Sequence, residues 1–191
     1  MTQYNIIAEN EEYTVVSEYE TVYGAPDQYQ SEAALEKDFI KTLTEQGYEY
    51  LPIHTEKDLV DNLRAQLQKL NNYTFTDAEW ERFFNESIAN KNDGIEAKTT
   101  KIQEDFIQVL KTDTGESKNI YLIDRKNIHN NYLQVINQYE EGGGYHDTRY
   151  DVSILVNGLP LVHIELKRRG VQLKEAFNQI NRYQRDSFWA G

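Results

Sequence analysis

The chain has 191 residues, with 32 acidic and 20 basic side chains, a formal charge of −12, no cysteine and one methionine. That length suits one domain, or one domain with a small appendage. The lack of cysteine excludes disulfide scaffolds, cysteine zinc sites and thiol nucleophiles. No apolar run approaches the roughly 20 residues that a membrane helix needs. The opening MTQYNIIAENEEY has no basic stretch before an apolar one, so it does not read as a signal peptide. The acidity speaks against a protein that simply coats nucleic acid. It is unevenly spread, however. Residues 1–100 hold 20 acidic and 8 basic residues, whereas 101–191 hold 12 of each. A basic group gathers near the end: Lys167, Arg168, Arg169, Lys174, Arg182 and Arg185. It reads either as a solvated face or as contact with a polyanion, since Lys and Arg neutralise phosphates.

In chain order, a β-branched stretch at Tyr13–Val16 precedes a turn around Gly24-Ala25-Pro26. Ser31 reads as an N-cap, Leu35, Phe39 and Leu43 follow at helical spacing, and Gly47 ends that helix. Tyr48–Ile53 reads as a strand. Leu59, Leu63, Leu67 and Leu70 predict a second amphipathic helix. Thr76 and Glu79 form a capping box ahead of a third, whose apolar face is Trp80, Phe83, Phe84 and Ile88. These stripes read as core.

The second half changes character. Asp105–Lys111 and Asn119–Asp124 read as strands around the turn Thr112–Gly115, and Tyr132–Tyr139 as a further strand. A loop with three consecutive glycines, Gly142 to Gly144, separates it from a hairpin: Asp151–Val156, the turn Asn157-Gly158-Leu159, then Pro160–Lys167. Gly170 precedes a last helix running to about Asp186. Helices, a meander of strands and a closing helix predict a mixed α/β fold with a largely antiparallel centre.

The chemistry concentrates in YDVSILVNGLPLVHIELK, residues 150–167. Asp151 opens one strand, and Glu165-Leu166-Lys167 closes the next. Two carboxylates at adjacent strand ends can share a hard cation such as Mg²⁺, which prefers oxygen ligands. A neighbouring lysine can hold an attacking water or neutralise charge developing on a phosphate. The bare triplet is weak, because Glu96-Ala97-Lys98, Glu116-Ser117-Lys118 and Asp124-Arg125-Lys126 match it too. Context selects the fourth match: only Glu165 and Lys167 lie in an apolar strand, where a charge is costly unless compensated. The plainer reading is a surface ion pair at a strand end.

Geometry imposes a condition. Residues paired across a hairpin share a face, so Asp151 must pair in a register with an even residue sum, such as 151 with 165. A plain two-residue Asn157-Gly158 turn pairs 151 with 164. The reading therefore requires a three-residue loop, Asn157-Gly158-Leu159, or a β-bulge. Farther on, Gln179 and Tyr183 are four apart and share a helical face. They could brace a metal cluster or touch a phosphate, or Tyr183 could pack while Gln179 is solvated.

The run from Asp151 to Gly191, DVSILVNGLPLVHIELKRRGVQLKEAFNQINRYQRDSFWAG, resembles the nuclease motif of the restriction (R) subunit of type I restriction–modification enzymes, a branch of the PD-(D/E)xK nuclease superfamily. QSEAALEKDFIKTLTEQGYEYL, residues 30–51, resembles the leading helix and strand of those subunits. Residues 54–145 match more loosely. The resemblance implies that Asp151 and Glu165 are Mg²⁺ ligands, Lys167 the catalytic lysine, and Gln179 and Tyr183 an accessory motif. Arg168, Arg169 and Arg182 become candidate DNA contacts. Glu36 in the leading helix could add a carboxylate or be an exposed helix residue. The implied function is Mg²⁺-dependent hydrolysis of double-stranded DNA in a bacterial or archaeal cytoplasm, beside methyltransferase (M) and specificity (S) subunits and away from membranes.

Residues 1–191 then form a single N-terminal endonuclease domain, with an acidic, mainly helical part to residue 100 and the sheet with the catalytic motif after it. The chain holds no Gly-x-x-x-x-Gly-Lys-Ser/Thr loop. ATP is therefore expected only in a longer, motor-containing subunit of which this is a fragment. Strands missing from such a fragment could leave Phe188 and Trp189 more exposed than in the intact protein. Two alternatives are a different PD-(D/E)xK enzyme such as a repair nuclease, and a non-catalytic docking module of nuclease-like fold.

Overall fold

A computed structural model describes residues 5–9, 15–18, 31–141, 148–168 and 189. Strands β1 (Asn5–Glu9) and β2 (Val15–Glu18) pair antiparallel as a small ribbon. Helix α1 (Glu32–Glu45) begins where expected, with the Ser31 hydroxyl accepting the Ala34 N–H at 3.2 Å. Gly47, at φ 96°, turns the chain out of it. The strand expected over Tyr48–Ile53 shrinks to β3 (Glu49–Tyr50).

Helix α2 (Glu56–Asn71) buries Leu59, Leu63 and Leu67 completely. Each such leucine contributes about 1.5–3 kcal/mol of burial free energy. The capping box at Thr76 and Glu79 forms in full and opens α3 (Asp77–Phe83). A π-helical turn, Phe84–Ile88, continues it. The wider winding lets Trp80, Phe83 and Ile88 all reach the core. Helix α4 (Ile95–Gln103) was not expected; it buries none of its residues fully, so its apolar stripe is faint.

The expected meander divides into two sheets. Strands β4 (Ile107–Lys111) and β5 (Ser117–Tyr121) form a separate hairpin. Leu110, Ile120 and Leu122 carry it onto Leu63, Leu67, Phe75 and Trp80 rather than into the main sheet. The main sheet has the order β3-β6-β7-β8, with β6 (Leu133–Glu141), β7 (Thr148–Val156) and β8 (Leu159–Ile164). Only the β3–β6 pairing is parallel. The fold is thus mixed α/β with a largely antiparallel sheet flanked by helices, as the sequence predicts.

Strand alternation gives this sheet two apolar faces. Val135 and Val152 cluster with Leu43 of α1, whereas Ile136 and Leu155 cluster with Leu59 of α2. Trp189 is half-buried and packs against both the α2 and the α3 cores, with its ring edge-on to Phe84 at 5.3 Å. Phe188 and the closing helix lie outside the described residues. No helix among the described residues is long and apolar enough to cross a membrane.

Candidate active site

The β7–β8 hairpin supplies the register that the site requires, and it does so through a bulge. Asn157 and Gly158 form a two-residue turn, both with positive φ (53° and 82°). Beyond that turn, Val156 pairs with Leu159 and Leu155 with Pro160. The register then shifts by one residue at Leu161, so that Ile154 pairs with Val162 and Val152 with Ile164. Continued by one residue, this register sets Asp151 opposite Glu165. Proline suits the bulge because it has no N–H to place in the ladder.

Asp151 and Glu165 are drawn to one place. Asp151 Oδ2 accepts the Leu166 N–H at 2.9 Å, which fixes β7 to the segment that follows β8. Lys167 Nζ donates to Glu165 Oε1 at 2.6 Å, with side-chain exposures of 16% and 5%. Both residues are half-buried, so each charge leans on the other for part of the solvation it loses. Burial pushes the Glu165 carboxyl up from its ordinary value; the Lys167 hydrogen bond opposes that rise, and the charges of Asp151 and Glu32 add to it. For Lys167, burial acts to lower the pKa, but the hydrogen bond and charge of Glu165, with Asp151 and Glu32, outweigh it and hold the ammonium above its ordinary value. A raised carboxyl beside a stabilised ammonium is the kind of perturbation found at functional sites.

The helix α1 carboxylate that adjoins this group is Glu32, which the sequence reading passed over. Its Oε1 accepts the Arg168 N–H at 3.3 Å, and its charge bears on both Glu165 and Lys167. The available signal was its position one helical turn before Glu36, on the same face. Glu36 itself is engaged elsewhere: its two oxygens accept from the side-chain amides of Asn137 and Gln138 on β6. Arg168 is exposed at the edge of the group. Gln179, Tyr183, Arg169 and Arg182 lie outside the described residues.

The three other Glu/Asp-x-Lys triplets belong to other elements. Glu96 and Lys98 belong to α4, and Glu116 and Lys118 to the β4–β5 hairpin. Asp124 closes a turn by accepting from the N–H groups of Lys126 and Asn127 and from the Asn130 amide. Among the described residues no three acidic or histidine side chains gather closely enough to cage a metal. Mg²⁺ does not demand a cage, since it binds through one or two carboxylates with waters and substrate phosphates completing its shell. The hard oxygen donors of Asp151 and Glu165 fit that ion.

Residues 29–190 match the family described as the type I restriction enzyme R protein N terminus. The chain is 49% identical over 183 residues to the type I restriction enzyme EcoprrI endonuclease subunit of Escherichia coli, covering 95% of this chain and 58% of that protein. It is 39% identical over 167 residues to the SsaAORF53P endonuclease subunit of Staphylococcus saprophyticus, covering 84% of this chain and 17% of the relative. To the HindI endonuclease subunit of Haemophilus influenzae it is 31% identical over 176 residues, with 81% and 17% covered. It thus spans little more than half of the first relative and about a sixth of the other two. With the family matched over most of its length, the chain belongs to the type I restriction enzyme R protein N-terminal family.

Proposed function

We propose that this chain is the DNA-cleaving N-terminal part of a type I restriction enzyme endonuclease subunit. On this reading it hydrolyses phosphodiester bonds of double-stranded DNA in a complex with methyltransferase and specificity subunits. The observation that carries the reading is the half-buried Glu165–Lys167 pair, brought opposite Asp151 by a bulge in the β7–β8 hairpin. A surface ion pair needs neither that burial nor that register. Asp151 and Glu165 would hold Mg²⁺, which supplies charge for an anionic transition state and orientation for the phosphate. Glu165, held between Lys167 and burial, presents a carboxylate whose position does not depend on solvent. Lys167, hydrogen-bonded to Glu165, would place its ammonium where negative charge builds on the phosphate oxygens. Arg168, beside this group, is suited to a backbone phosphate. ATP hydrolysis would belong to other parts of such a subunit.

The test is Asp151→Ala in the assembled enzyme. DNA cleavage is expected to fall by at least about 100-fold, with ATP hydrolysis retained. Cleavage at the wild-type rate would remove Asp151 from the mechanism and favour a docking role for this fold.

A further inference from the structure

The strand beside Asp151 carries an irregularity that the motif does not explain. Residues two apart in a strand should face the same way. Yet on β7, Val152 lies with Leu43 of α1, while Tyr150 lies with Leu59 of α2. On β6 the same change occurs: Asn137 reaches Glu36 of α1, and Tyr139 packs with Leu59 of α2. The pleat reverses between these pairs. Asn137 pairs with Val152 and Tyr139 with Tyr150, so the reversal falls at the intervening partners, Gln138 and Asp151. Its backbone cause is Gln138, whose φ of 52° is left-handed, a conformation that a residue with a Cβ adopts only when its surroundings enforce it.

The side chain of Gln138 shows what enforces it. Its amide N–H donates to Glu36 Oε2 on α1, and its amide oxygen accepts from Arg149 Nε on β7. Asn137 donates to the other oxygen of Glu36 and accepts the Tyr50 hydroxyl at 2.9 Å. One residue therefore ties α1, β6 and β7 together directly across from Asp151, and α1 is the helix that brings Glu32 to Glu165 and Lys167.

We infer that Gln138 is a positioning residue of the site. It aims Asp151 by reversing the pleat, and it sets α1 against the sheet through Glu36. The inference rests on the nuclease reading above and adds to it a residue outside the Asp/Glu-x-Lys motif. Two properties are separable by substitution. Glycine keeps the left-handed backbone and loses the amide; valine loses both.

The experiment compares the full chain with Gln138→Gly, Gln138→Val and Asp151→Ala. The readouts are the thermal midpoint without metal, Mn²⁺ binding with DNA present, and the half-saturating Mg²⁺ for cleavage in the assembled enzyme. Gln138→Gly is expected to hold its midpoint within about 3 °C of wild type. It should bind Mn²⁺ about 10-fold more weakly and need correspondingly more Mg²⁺. Gln138→Val is expected to lose thermal stability as well. Wild-type metal affinity in Gln138→Gly overturns the link through Glu36, and wild-type affinity in Gln138→Val overturns the link through the pleat. A stability loss in Gln138→Gly as large as in Gln138→Val overturns the inference as a whole, because it makes Gln138 a residue of the fold alone. Absent Mn²⁺ binding by wild type, or equal binding by Asp151→Ala, counts against the nuclease reading itself and is told apart by those two controls.

Discussion

Gly158 meets two demands at once. Its φ of 82° completes the hairpin turn, and a Cβ there would lie 2.6 Å from Leu63 Cα on α2. Neither the turn nor the helix backbone can yield cheaply. Gly158→Ala is expected to destabilise the chain by at least about 2 kcal/mol, read as a lowered midpoint in urea, although the substitution adds one methyl group. Its neighbour Asn157 is fully buried, and its amide donates to Leu122 O at 3.0 Å and to Asn131 Oδ1 at 2.8 Å. The hairpin that carries Asp151 and Glu165 is therefore clamped at its tip. His163, on the same hairpin, gives a pH signature. Burial depresses its pKa from 6.5 to about 4, with Ser153 Oγ 2.9 Å from Nδ1 and the Tyr150 ring stacked on it at 4.4 Å. The folded state favours neutral His163. Its contribution is thus complete above pH 6.5 and lost as pH falls from 6.5 towards 4, by at most about 3 kcal/mol. The thermal midpoint of the wild type should decline from pH 6.5 downward, and His163→Gln should flatten that decline above about pH 5, where carboxylates contribute little.

At the scale of elements, the capping box of α3 links two parts of the fold. Thr76 Oγ1 accepts the Glu79 N–H at 3.1 Å and donates to Asp113 Oδ2 at 2.6 Å, while Glu79 Oε1 accepts the Asp113 N–H at 3.0 Å. The cap thereby fastens the β4–β5 turn to α3. Thr76→Ala is expected to cost about 1 kcal/mol, or about 2–4 °C in thermal midpoint, measured by calorimetry. The local half of this arrangement was legible, because S/T-x-x-E ahead of an apolar face is a helix start written in four residues. The contact with Asp113 was not, because it joins positions 37 apart. The same division holds elsewhere. Ser31, Gly47 and the leucines of α2 declared their elements, and the parity of Asp151 and Glu165 declared that a loop or bulge was needed. What stayed hidden depended on tertiary context: the split of the strands into two sheets, the faint α4, the left-handed Gln138, and Glu32 in place of Glu36 beside the lysine. Each is decided by a neighbour distant in sequence.

Over the whole molecule, the charge of −12 separates into regions with different roles. Most of the acids lie in the front half, whereas Asp151 and Glu165 lie on the β7–β8 hairpin and just beyond it, beside Lys167 and Arg168. On the proposed reading those two acids hold a cation, so the charge that DNA would meet there is not the charge that the formal count implies. The front half also contributes to the site from a distance: α1 delivers Glu32, and α2 backs the hairpin tip through Leu63. The central claim is that the Asp151–Glu165–Lys167 group cuts DNA, with the lysine acting by charge. Its most direct test is Lys167→Ala in the assembled enzyme, with DNA cleavage and Mn²⁺ binding measured on the same preparation. Cleavage should fall by about 100-fold or more while Mn²⁺ still binds through the carboxylates; cleavage that continues at the wild-type rate would contradict the claim.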